Sequence, residues 1–114
     1  MRAGVDIHPA ASIGDGVMLD HASSIVIGET SIIGSDCYVL HGVTLGATGK
    51  PTPHSKRHPT IGNSVTLGAG CTVLGDVRVG DGATVGAHAV VTRNVPAGET
   101  VTGVNGLRGQ RSRL

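Results

Sequence analysis

Aliphatic residues return at every sixth position along most of this chain. They are Ile7, Ile13 and Leu19, then Ile27, Ile33, Val39 and Leu45, then Ile61, Leu67, Val73, Val79, Val85 and Val91. Eight of these thirteen are followed directly by glycine. A period of six fits neither the 3.6-residue repeat of an amphipathic helix nor the two-residue alternation of a half-buried strand. It predicts a solenoid of hexapeptides, in which three hexads make one triangular coil with a short strand on each face. Thirteen hexads make about four coils, each hydrogen-bonded to its neighbours, so the predicted class is all-β.

The breaks in the period are as informative as the period. The stripe slips by two residues between Leu19 and Ile27, which predicts a bulge at a corner. Between Leu45 and Ile61 sixteen residues stand where six would do. The surplus, 47–60, carries Gly49, Pro51, Pro53 and Pro59, which exclude a strand and predict a protruding loop. Lys50, Lys56 and Arg57 make that loop basic, and His54 and His58 give it groups that exchange protons near neutral pH. After Val91 the repeat stops, and a turn with a short closing segment is expected. Residues 1–104 therefore form one β-helical domain, and 105–114 a basic, flexible tail.

Composition supports a narrow interior. There is no Phe, no Trp and a single tyrosine, Tyr38, while 19 glycines are available for corners. The net charge of +1, with no basic face carrying interleaved aromatics, gives no footprint for nucleic acid. No apolar run is long enough to span a membrane, and the start has no signal-peptide core, so a cytoplasmic protein is expected. Cys37 and Cys71 each fall four residues after a stripe position, an offset shared with Val17, Val43, Val65 and Val77. They are expected to be buried thiols, with neither a disulfide nor a metal site. Exposed strand edges on a short prism favour a closed oligomer, most simply a trimer.

Asp6 and His21 lie fifteen residues apart, nearly one coil, which allows them to sit on adjacent layers about 4.8 Å apart. A carboxylate on one ring nitrogen fixes the tautomer and leaves the other nitrogen free as a base. Such pairs also occur on neighbouring turns without any catalytic role, so spacing alone leaves both readings open. His8 is expected to hydrogen-bond within the first coil. His41, His54 and His88 fit solvated or structural roles.

The ordered series GVDIHPAASIG, MLDHA, IVIGET, VTLGATGK and KRHPTIG resembles serine O-acetyltransferase, in the hexapeptide-repeat acetyltransferase family, across residues 4 to 104. The resemblance is to a short form without the helical domain that usually precedes the β-helix. It implies a left-handed parallel β-helix. It also implies catalytic His21 as general base with Asp6 orienting it, and Asp20, Arg57 and His58 binding the amino acid, His58 from across a subunit boundary. Acetyl-CoA is the implied co-substrate, lying between protomers of a homotrimer against Gly46, Thr48, Gly68, Ala69, Gly86 and Ala87. Arg93 and Arg108 are candidates for its phosphates. The implied reaction is direct acetyl transfer to the hydroxyl of L-serine, giving O-acetylserine for cysteine biosynthesis. O-acetylserine sulfhydrylase is a further implied partner, docked weakly by the tail ending in Leu114.

Three other readings remain open at this stage. One is an O-acetyltransferase for another small hydroxylated acceptor. Another is a non-catalytic solenoid scaffold. The third is a zinc hydratase, for which His54 and His58 show no third ligand converging with them.

Overall fold

A computed structural model describes residues 4–21, 23–49 and 55–105. Those residues wind as a parallel β-helix of three sheets. The first face stacks β1 (Val5–Ile7), β4 (Ile25–Ile27), β7 (Thr44–Gly46), β10 (Thr72–Leu74), β13 (Val90–Val91) and β15 (Val104–Asn105). The second stacks β2 (Ser12–Ile13), β5 (Ile32–Ile33), β8 (Thr60–Ile61) and β11 (Arg78–Val79). The third stacks β3 (Met18–Asp20), β6 (Tyr38–Leu40), β9 (Thr66–Leu67), β12 (Thr84–Val85) and β14 (Thr100–Val101).

Register shows how the sequence breaks are absorbed. An uninterrupted coil advances eighteen residues, as Ile27 beside Leu45 and Ile61 beside Val79. Across the slip the advance is twenty, as Ile7 beside Ile27 and Leu19 beside Val39. Across the loop it is twenty-eight, as Leu45 beside Val73 and Ile33 beside Ile61. The extra two and the extra ten residues are thus expelled at corners, and the aliphatic ladders run on unbroken.

Every stripe residue from Ile27 to Val91 is buried, and Ile25, Cys37, Val43, Val65, Cys71, Ala83, Ala89 and Val95 are buried with them. Burial of each Val, Leu or Ile contributes roughly 1.5–3 kcal/mol. Both thiols are free and buried, as expected. Burial pushes Cys71 up to about 12 and raises Cys37 as well. In the first coil Val5 and Ile13 are each 38% exposed, because only one side of that coil is stacked on another described coil.

The chain's end differs from expectation. Instead of a closing segment after Val91, a shortened fifth coil continues. Val95 forms a lone parallel bridge with Val79, and β14 and β15 then extend the third and first faces. Val85 pairs with Val101 sixteen residues on, so two residues are missing from this coil. Pro96, directly after Val95, has no N–H to donate to a longer ladder.

Candidate active site

The two-residue bulge falls at the corner between β3 and β4, and it carries His21. Both His21 (φ 52°) and Ser24 (φ 56°) adopt the left-handed conformation there. The turn lifts His21 off the prism, leaving its side chain 80% exposed. Its Nε2 lies 3.6 Å from Oδ1 of Asp20, and the Tyr38 hydroxyl donates to the other carboxylate oxygen, Oδ2. The His41 ring, from the same edge one coil on, stands edge-on to His21 at a centroid distance of 6.5 Å.

Asp6 is exposed on the outward side of β1, opposite Val26. Among the described residues no hydrogen bond or ion pair joins it to His21. The carboxylate within ion-pair reach of the ring is Asp20's.

A second cluster forms at the opposite strand ends of the first face, where loop 47–60 leaves and returns. Its returning limb packs on the corner between β4 and β5. The Thr30 hydroxyl accepts from the backbone N–H groups of Arg57 (2.9 Å) and His58 (2.8 Å). It also lies 2.8 Å from His58 Nδ1, which the Thr30 amide reaches at 3.1 Å. Arg57 Nη2 donates to Glu29 Oε1 at 2.7 Å. Lys56 donates to the His58 carbonyl and lies 3.8 Å from Asp76. His58 is buried, its ring seated over Gly28, where a Cβ would come within 2.1 Å of Cδ2. Burial, and then the positive charges of Arg57 and Lys56, hold the His58 pKa below its ordinary value.

The residues expected to line a coenzyme track divide between two edges. Gly68 and Ala69, then Gly86 and Ala87, occupy successive corners on the edge that carries His41 and the His21 bulge. The Ala69 and Ala87 N–H groups carry no hydrogen bond among the described residues, whereas the Gly68 and Gly86 N–H groups are spent on the next coil. The glycines there serve stacking, since a Cβ on Gly68 would come within 2.7 Å of the Ala87 nitrogen. Gly46, Thr48 and Arg93 lie on the other edge. Gly46 packs beneath Leu74, Thr48 lies over Gly75, and Arg93 is exposed. Arg108, Lys50 and His54 lie outside the described residues. His8 behaves as expected, its Nδ1 accepting from the Ala10 amide at 3.0 Å.

Sequence reasoning missed Glu29, Thr30 and Tyr38. The first two had a usable signal. Thr30 and His58 are twenty-eight residues apart, the same advance as Ile33 to Ile61, so they had to stack.

The chain is similar to known proteins in sequence and in fold. The pattern described as bacterial transferase hexapeptide (six repeats) matches residues 58–93, and the hexapeptide repeat of succinyl-transferase matches residues 24–47. Fold and repeats together define a left-handed parallel β-helix of the hexapeptide transferase class. Serine acetyltransferase of Synechococcus elongatus is 50% identical over 93% of this chain and 43% of its own length. The Neisseria gonorrhoeae serine acetyltransferase in complex with serine is 49% identical, with a TM-score of 0.83 over 90% of this chain and 41% of that one. The Brucella abortus serine acetyltransferase in complex with coenzyme A is 46% identical, with a TM-score of 0.83 over 87% of this chain and 39% of that one. The chain is a homologue of the serine acetyltransferases, and it spans less than half the length of each of these three.

Proposed function

We propose that the chain is the catalytic β-helix of a CoA-dependent serine O-acetyltransferase, moving acetyl from acetyl-CoA to the L-serine hydroxyl. His21 takes the hydroxyl proton as the serine oxygen attacks the thioester carbon. The carbon–sulfur bond breaks, and the proton passes to the departing sulfur to give free coenzyme A and O-acetylserine, the product used for cysteine biosynthesis. The ring's exposure leaves it free to turn toward β1, where Asp6 would orient it and favour the imidazolium that forms. Asp20 faces the acceptor's ammonium group. Arg57 offers a guanidinium fork for its carboxylate, exchanging Glu29 for substrate. His58 keeps the loop end beside it.

The observation that carries this reading is the shared edge. His21 and the unspent N–H groups of Ala69 and Ala87 lie along one line of corners. Amide donors there suit the pantetheine chain of coenzyme A, with its thioester delivered to the imidazole. The Brucella relative bound to coenzyme A and the Neisseria relative bound to serine support the two substrates.

Arg57 and His58 stand at the far strand ends from His21, so a complete site calls for two protomers. A homotrimer meets that need, and outward apolar side chains in the first two coils support it: Met18 is 61% exposed, Val26 42% and Ile32 41%. Gly46, Thr48 and Arg93 would then serve the coenzyme bound beside the neighbouring protomer. The reading also includes a cytoplasmic location, phosphate contacts from Arg108 and docking of the tail to O-acetylserine sulfhydrylase.

Thiol release from acetyl-CoA across a panel of hydroxylated acceptors tests the assignment. Serine should lead the panel. Turnover with a different acceptor would move the substrate, and no coenzyme A binding in calorimetry would leave a scaffold. Of the two loop histidines weighed for zinc, His58 is committed to Thr30.

A further inference from the structure

The chemistry above leaves Tyr38 unused. It is the chain's single tyrosine, in a sequence without Phe or Trp. It stands on the outward side of β6, opposite Met18 of β3. Its hydroxyl donates to Oδ2 of Asp20, the carboxylate whose Oδ1 lies 3.6 Å from His21 Nε2. The terminal torsion of an aspartate is broad and roughly two-fold, so an untethered carboxylate swings between orientations.

We infer that Tyr38 is a positioning residue: its phenol fixes the Asp20 carboxylate so that Oδ1 faces His21 and is left to hold the acceptor's ammonium group. This rests on the reading of the site as an amino-acid O-acetyltransferase. A gap of 3.6 Å is too long for a direct hydrogen bond, so Oδ1 and Nε2 both keep capacity for one small acceptor. An ammonium group would meet the carboxylate while the neighbouring hydroxyl meets the imidazole. Tyr38 sits on a strand whose register with β3 is fixed through Leu19 and Val39, a firmer base than a loop. The bond to Asp20 also raises the Tyr38 pKa above that of an ordinary phenol, so the donor stays protonated through neutral pH.

Two measurements on the whole chain test this. With one tyrosine and no tryptophan, the alkaline rise in phenolate absorbance reports Tyr38 alone. Asp20→Ala should move its midpoint to lower pH, and an unchanged midpoint would overturn the contact whatever the protein catalyses. In steady-state kinetics, Tyr38→Phe should raise KM for serine about tenfold, with kcat and the KM for acetyl-CoA little changed. The same substitution in an Asp20→Ala background should add nothing. Equal losses for both substrates, or a full additive loss in that background, would contradict the inference. Absence of serine-dependent thiol release from the unsubstituted chain would instead overturn the reading of the site, and with it the role given to Tyr38.

Discussion

His58 Nδ1 accepts a hydrogen bond from the Thr30 amide N–H. A backbone amide at 3.1 Å can only donate, so Nδ1 is unprotonated and the ring proton sits on Nε2. The Thr30 hydroxyl already accepts two N–H groups, from Arg57 and His58, so its own proton is available to the same Nδ1 at 2.8 Å. One threonine on a half-buried corner therefore fixes both the returning limb of the loop and the tautomer of its histidine.

Thr30→Val removes that acceptor and strands the two backbone donors. Denaturant unfolding should show a loss of about 1–3 kcal/mol, while Thr30→Ser, which keeps the hydroxyl, should lose well under half of that. Acceptor KM should follow the same order. Equal stability of the Val and Ser variants would show that the hydroxyl does not anchor the loop.

The depressed pKa of His58 fixes a sign for pH dependence. A base whose folded pKa lies below its unfolded value of about 6.5 binds more protons unfolded, so its contribution is present at higher pH and is lost as pH falls below that value. Protonation would also turn Nδ1 into a donor facing two donors. The stability difference between the native chain and His58→Asn, measured by thermal unfolding, should narrow between about pH 7.5 and pH 5.5. A gap that widens on acidification would contradict this.

Gly28→Ala places a methyl group 2.1 Å from His58 Cδ2 and 2.2 Å from Nε2, so the ring must leave its seat. Its effect on acceptor KM should match that of His58→Ala, and the two together should cost no more than either alone. Additive effects would mean that ring and glycine act separately.

Cys37 and Cys71 should resist a thiol reagent until the chain unfolds. Both thiols are buried and their pKa values raised, Cys71 to about 12, so little thiolate forms at neutral pH. Stoichiometric labelling of the folded chain would contradict the interior described here.

The fold was legible because its signal is one-dimensional. Ile27 to Val91 stack at fixed intervals, and each interruption changes the register by the number of residues inserted. The fifth coil escaped notice because its second face holds only Val95, four residues after Val91, which the six-residue period does not reach. At the site, the loop stood out as a departure from the repeat, and His21 by its spacing from Asp6. Their partners did not. Glu29, Thr30 and Tyr38 occupy ordinary places within hexads, and their roles depend on which corner lies above or below them. The pairing expected for His21 was with Asp6 on the neighbouring layer, whereas the bulge leaves the ring beside its sequence neighbour Asp20.

The most direct measurement is thiol release from acetyl-CoA with L-serine, comparing the native chain with His21→Ala. The account predicts serine-dependent release by the native chain and a loss of about 100-fold or more in kcat, with acetyl-CoA binding retained in calorimetry. Unchanged turnover in His21→Ala would contradict it.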